Sequence, residues 1–231
     1  MTELEVSLNR IYQSFWIMEG LIEETESLIN KSLRDFEKSG PRICSYDHDF
    51  GSDEYYKFRG FASYNFDEVV ENYATLMPSR LRASAFLTMF GMFECNIESL
   101  TQAILKFNDQ IWRVSDFNQK GLERCNLILK KLLPITHSES RNLISCIVKL
   151  RNLCAHNNRY VSDHILKDGN IKRLISESGC IDTKRLNGEH ELIFKRSSLH
   201  FILECFINFH NEVINSLNGP GFIMNYKFRQ L

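Results

Sequence analysis

The sequence predicts an all-α protein: a bundle of five to six helices with an irregular insertion and at most a minor β element. Three observations carry this. Apolar residues recur at spacings of three and four over long segments, strand and helix patterns do not alternate as in an α/β domain, and no internal repeat is visible. With 231 residues, 43% hydrophobic and 25% charged, the chain can bury a sizeable core and is read as a single domain spanning residues 1–231.

The elements follow in order. Leu4, Leu8, Ile11, Phe15, Met18, Ile22, Ile29, Leu33 and Phe36 mark one long amphipathic helix over about 1–38. It stops at Ser39-Gly40-Pro41, because glycine accepts a left-handed cap and proline donates no backbone hydrogen bond. Residues 40–66 form an aromatic connector without clear periodicity, expected to pack on the helices. Its Asp47-His48-Asp49 triplet is read as a solvated loop, since adjacent residues converge poorly on one ion and no fourth ligand is evident.

A second helix is expected over 67–76, and Pro78 with Ser79 opens a third that runs to about Phe107. That third helix is apolar on most faces, so it belongs at the centre of the bundle, and Glu94 within it calls for a partner. A fourth covers about 118 to Leu133 and stops at Pro134. Thr136 and Glu139 fit a capping box that starts a fifth, ending near Tyr160. Residues 160–195 are a polar, glycine-punctuated insertion with a short helix near 170–177 and a strand-like stretch at 191–194. A last helix covers 197–217, before Gly219-Pro220-Gly221.

A formal net charge of −1 gives no whole-molecule field to draw the chain onto nucleic acid or an anionic membrane, so an anion site has to be local. Cysteines 44, 95, 125, 146, 154, 180 and 205 form no C-x-x-C pair, which suits buried reduced thiols better than a metal site. The first ten residues are acidic, unlike a secretory leader, and no apolar run is long enough for a membrane span. A cytoplasmic protein without a membrane partner is expected.

The fifth helix carries the functional signal. Leu143, Ile147, Leu150 and Cys154 form an ordinary core stripe. A second stripe, Ile144, Val148, Arg151, Ala155 and Arg159, begins apolar and turns basic, with Asn152 and His156 stacked four apart along its edge. Such a face does more than fill the core.

The run Arg151-Asn152-Leu153-Cys154-Ala155-His156-Asn157 resembles the R-N-x-x-x-H signature of HEPN domains, a helical superfamily that includes many RNase toxins of toxin–antitoxin, abortive-infection and CRISPR-linked systems. RASAFLTMFGMFE at 82–94 resembles the helix that packs against the motif helix in several prokaryotic HEPN families, where an acidic residue can face the motif arginine; Glu94 fits that place. The resemblance covers about 79–160, reaches the final helix only in arrangement, and draws nothing from the first sixty residues. It implies an HEPN-like bundle, catalytic Arg151, Asn152 and His156, and support from Glu94, Asn157, Arg159 and Tyr160. It also implies a homodimer with two motif helices around one cleft, to which Ile144 and Val148 could contribute. Some HEPN toxins carry a tyrosine two residues after the histidine, where a partner enzyme modifies it; here Asn158 holds that position and Tyr160 lies further on.

The implied activity is metal-independent RNA cleavage, with no cofactor. A histidine can take the 2′-hydroxyl proton or give one to the leaving 5′-oxygen. Arginine holds phosphate oxygens as negative charge builds, and Asn152 would orient the histidine or hold substrate. Attack by the 2′-hydroxyl spares DNA and leaves a 2′,3′-cyclic phosphate. Implied partners are the RNA substrate and a cognate antitoxin or regulatory protein.

Two other readings stand beside this one. The same surface in a non-catalytic HEPN-like module would bind a protein or nucleotide, and the chain could instead be an unrelated helical scaffold. Taken residue by residue, the structural alternatives are His156 as a helix-end cap with Arg151 paired to Glu94, and Arg159 and Tyr160 as a solvated last turn. The remaining histidines, His164 among them, are taken as surface or core residues, and Lys130-Lys131 as solvated.

Overall fold

A computed structural model describes residues 2–133, 139–156, 159–186 and 188–218. The first helix, α1 (Glu3–Ser39), starts on a reciprocal capping box between Thr2 and Glu5 and ends at Gly40, whose φ of 61° is the left-handed conformation that glycine accepts most readily. Its predicted apolar stripe is the buried one, from Leu4 through Ile22 to Phe36.

The connector after α1 is not irregular. It folds into an antiparallel three-stranded sheet in the order β1 (Arg42–His48), β2 (Gly51–Phe58) and β3 (Phe61–Ser63). Two-residue turns join the strands, Asp49-Phe50 between His48 and Gly51 and Arg59-Gly60 between Phe58 and Phe61. Asp47 and His48 therefore lie on a strand, with His48 Nε2 3.4 Å from the Asp53 carboxylate. Among the described residues no cluster of three metal-ligating side chains forms. Phe58 reaches back to α1, where Phe36 and Tyr73 stack with ring centroids 4.9 Å apart and close a second small core with Val69.

The predicted second and third helices are one continuous helical run. Helix α2 (Phe66–Glu71) passes through a wide turn at Asn72–Leu76, with π-type bonding, directly into α3 (Met77–Phe107). The wide turn explains why Pro78 does not break the run: spreading the backbone just before the ring relieves its clash with the preceding carbonyls. Helix α3 lies at the centre, against α1, α4 (Gly121–Leu132), α5 (Glu139–His156) and α8 (Ser198–Leu217). Phe93 of α3 and Phe206 of α8 stack face to face at 4.1 Å.

The insertion at 160–195 also has more structure than expected. A second antiparallel sheet, in the order β4 (Tyr160–Val161), β6 (Glu189–Phe194), β5 (Ile181–Leu186), encloses two helices, α6 (Asp163–Leu166) and α7 (Gly169–Ser178). The protein is thus predominantly helical, but two three-stranded sheets replace the single minor β element that the sequence predicts. The second sheet is tied to the bundle at the start of α3. Ser79 Oγ accepts from Phe194 N at 2.9 Å, and Arg82 donates to Phe194 O while its guanidinium clamps Glu26 of α1 at 2.6 and 2.8 Å.

The predicted capping box at Thr136 and the stop at Pro134 lie outside the described residues, as does Gly219-Pro220-Gly221. No described helix is long and apolar enough to cross a membrane.

Candidate functional site

Helix α5 is held on several sides at once, by α3 and α8 and by α7. Both of its apolar stripes are consumed by this packing. Ile144 is 1% and Val148 8% exposed, so neither is available for contact with a second copy, contrary to the expectation drawn from the second stripe. What stays open is the C-terminal end of the helix, where Asn152, Ala155 and His156 are exposed and Arg151 is half-buried.

Arg151 does not meet Glu94. Its guanidinium carbon lies 5.5 Å from the centroid of Phe90, one turn earlier on α3, and its Nη1 donates to Asn152 Oδ1 at 3.0 Å. A cation over an aromatic face is favourable by about 0.5–1 kcal/mol at such a partly wet position. Among the described residues Arg151 forms no ion pair. Glu94 is engaged elsewhere, for its Oε1 accepts from Leu122 N at 3.1 Å, at the first turn of α4, where the free amides and the helix dipole favour a carboxylate. Gly121 brings the backbone close enough for this, with φ of 56° and no room for a Cβ, which would lie 2.2 Å from Glu94 Oε1. Glu94 therefore joins α3 to α4 and does not support the motif arginine.

Arg159 and Tyr160 are not a solvated last turn. Helix α5 ends at His156, and Arg159 N reaches Leu153 O at 3.3 Å with the residue at φ 70°. That left-handed geometry costs an arginine about 1 kcal/mol. Two contacts hold it. Arg159 O accepts from Leu192 N, and its Nη2 lies 3.2 Å from Glu191 Oε1. Glu191 has no exposed side-chain surface and also receives Arg80 Nε at 3.3 Å, so one buried carboxylate is shared by two arginines. Tyr160 follows on β4, paired in register with Glu191. Arg159 and Tyr160 thus fasten the end of α5 to β6, which fixes where His156 stands. Asn157 lies outside the described residues.

The structure also brings in residues that the sequence did not single out. Helices α6 and α7 fold back beside the end of α5 and form with it an open cleft of about 570 Å³. Its floor is apolar, formed by Leu153, Ile165 and Ile171. Asn152 and His156 stand at its wall together with Lys149, His164, Lys167 and the Asp168 carboxylate, whereas Arg151 does not line it. Lys149 is partly spoken for: its Nζ lies 2.8 Å from Asp168, and this contact, with the Asn170 amide, holds the Asp168 carboxyl below its ordinary range. Lys167 and His164 are exposed and form no ion pair among the described residues. Helix α6, which carries His164 and runs into Lys167, is moored to β6 by His190 Nε2, 3.0 Å from the Asp163 carboxylate.

In the sequence His164 reads as a surface or core histidine and Lys167 carries no signal of its own. Their meeting with His156 depends on a chain reversal through the second sheet, for which no local pattern exists.

Compared with protein-family models, curated proteins and solved structures, the chain finds no match. The functional reading therefore rests on its own residues.

Proposed function

We propose that this chain is a metal-independent endoribonuclease of the HEPN type, serving toxin–antitoxin or antiphage defence, with His156, Asn152 and Arg151 as its reactive set. The observation that carries the reading is the placement of His156 and Asn152 one helical turn apart, both exposed, on the wall of a cavity edged by lysines. An exposed imidazole exchanges protons with substrate and solvent, and Lys167, which forms no ion pair among the described residues, attracts a phosphodiester although the chain as a whole is nearly neutral.

In this mechanism His156 moves the proton between the 2′-hydroxyl, the leaving 5′-oxygen and water. The 2′-oxygen attacks phosphorus, the bond to the 5′-oxygen breaks, and the product strand ends in a 2′,3′-cyclic phosphate. Asn152 fixes the Arg151 guanidinium through its amide oxygen, which presents the planar cation to non-bridging phosphate oxygens. Five residues separate Arg151 from His156, about 140° of helical rotation, so a two-fold homodimer that joins the open ends of two α5 helices would give each His156 a second arginine. A cognate antitoxin or regulatory protein would cover that cleft.

Incubation of the purified protein with total RNA in EDTA tests the reading. Fragments ending in cyclic phosphate, with single-stranded DNA left intact, are expected; intact RNA would refute it. A second reading, a non-catalytic binding module, is favoured by the apolar floor of the cavity, which suits ligand retention whether or not a bond is broken.

A further inference from the structure

The cavity between α5 and the α6–α7 pair is larger than proton transfer at His156 requires, and it differs in character from the rest of the site. Its floor is hydrocarbon from Leu153, Ile165 and Ile171, and its edge carries His156 on one side, His164 and Lys167 on the other, and the Lys149–Asp168 ion pair. About 570 Å³ falls within the range of pockets that hold small organic ligands, roughly 300–1,000 Å³. A flat ring joined through a sugar to a phosphate, as in a nucleotide, is a ligand whose two halves match such a site: the ring face meets the apolar floor and the phosphate meets Lys167 at the edge. Lys149 is neutralised by Asp168 at 2.8 Å. Lys167 is not so paired among the described residues, and it is the cation left for an incoming anion.

We infer that this cavity is a nucleotide subsite that takes one base of the RNA substrate beside the cleaved bond, with Lys167 and His164 holding the adjoining phosphate. The inference rests on the ribonuclease reading for the identity of the ligand, while the pocket itself is formed jointly by α5 and by α6, α7 and the residues between them. The base sits against Leu153 and Ile171, and its phosphate lies between Lys167 and His164. Because the wall continues into Asn152 and His156, a base seated there places the next phosphodiester beside the imidazole. The subsite therefore positions the substrate, and through the shape of its floor it sets which bases are accepted.

Binding is separable from cleavage, and the full-length protein serves for both measurements. The probe is a fluorescently labelled short RNA of mixed sequence with 2′-O-methyl riboses, which cannot be cut by 2′-hydroxyl attack, followed by anisotropy at fixed salt. Lys167→Glu should weaken its binding about tenfold, while Lys172→Glu, the same charge change on α7 at an exposed residue that does not line the cavity, should stay within about twofold. His164→Ala should weaken it by a smaller factor, and adenosine 5′-monophosphate should compete only weakly because it lacks the neighbouring phosphodiesters. Equal losses in Lys167→Glu and Lys172→Glu, or none in either, would overturn the subsite. Tight binding of adenosine 5′-monophosphate that depends on Lys167, with the RNA probe left unbound, would also overturn it and assign the cavity to a free nucleotide. Failure of the ribonuclease reading looks different: unmodified RNA stays intact although the methylated probe still binds through Lys167.

Discussion

His210 offers a quantitative test of the packing between α8 and α1. Its side chain is fully buried, wedged edge-on against Tyr12 at 5.0 Å and Phe15 at 5.5 Å, and neither ring nitrogen has a hydrogen-bond partner among the described residues. Burial pushes its pKa down from the ordinary 6.5 to about 4, since a charged imidazolium has no water there. The unfolded chain, titrating near 6.5, then binds a proton before the folded chain does. Stability is fully present above that pH and is lost as pH falls through the window from about 6.5 to about 4. At about 1.4 kcal/mol for each tenfold, that window corresponds to about 3.4 kcal/mol in full, of which about 2 kcal/mol is lost between pH 7 and pH 5.

The perturbation is His210→Phe, which keeps an aromatic ring against Tyr12 and Phe15 and removes the titration; His210→Leu serves as a second variant. Urea unfolding curves of wild type and variant at pH 7 and pH 5 give the difference directly, and common contributions from other groups cancel. Wild type should lose about 2 kcal/mol more than either variant over that interval. Equal losses would refute the reasoning and mean that the ring is hydrated or hydrogen-bonded in the folded protein.

Three further outcomes are expected. Glu191→Ala should destabilise the protein by about 3 kcal/mol, the lower end of the cost of breaking a buried ion pair, because Arg80 and Arg159 are both left without their shared carboxylate while keeping some access to water; chemical denaturation checks this. Gly121→Ala should cost about 2 kcal/mol, from the positive φ and from displacement of the Glu94 carboxylate off the start of α4, and the loss should shrink in a Glu94→Ala background. Burial lifts the Cys125 thiol to about 11 and the Cys154 and Cys205 thiols to about 12, whereas Cys95 is exposed and Cys44 partly so. Alkylation followed by mass spectrometry should therefore label Cys95 and Cys44 under native conditions and the three buried thiols only on unfolding.

The long helices were legible because each buries one face against a continuous core, whereas α6, which buries no residue fully, was not. The stripe from Leu4 to Phe36 and the all-round apolar character of α3 translate directly into buried positions. The first sheet escaped because most of its side chains are exposed on both faces: β1 buries none of its seven residues fully, so no alternation of apolar and polar positions was written into it. Of the second sheet only the stretch 191–194, part of β6, was legible, and the rest escaped for another reason. Its strand β4 is two residues long, and among the sheet's buried positions is a carboxylate, Glu191, a residue type ordinarily found at the surface. The same blindness affected the site. Arg151, Asn152 and His156 were visible as a pattern on one helix, but Glu94 and Arg159 have structural partners, Leu122 N and Glu191, that are distant in sequence. The cavity edge at His164 and Lys167 depends on the path of the chain through β4 and α6, which no periodicity announces.

The most direct test of the central claim is the rate of RNA cleavage in EDTA by wild type and by His156→Ala, with the fold of both checked by circular dichroism. Because His156 is exposed at the end of α5, its removal should leave stability unchanged and lower the rate by about 10²- to 10⁴-fold, the usual contribution of a general acid or base. Equal rates, or no cleavage by either protein, would contradict the account and leave the cavity beside α5 as a binding site alone.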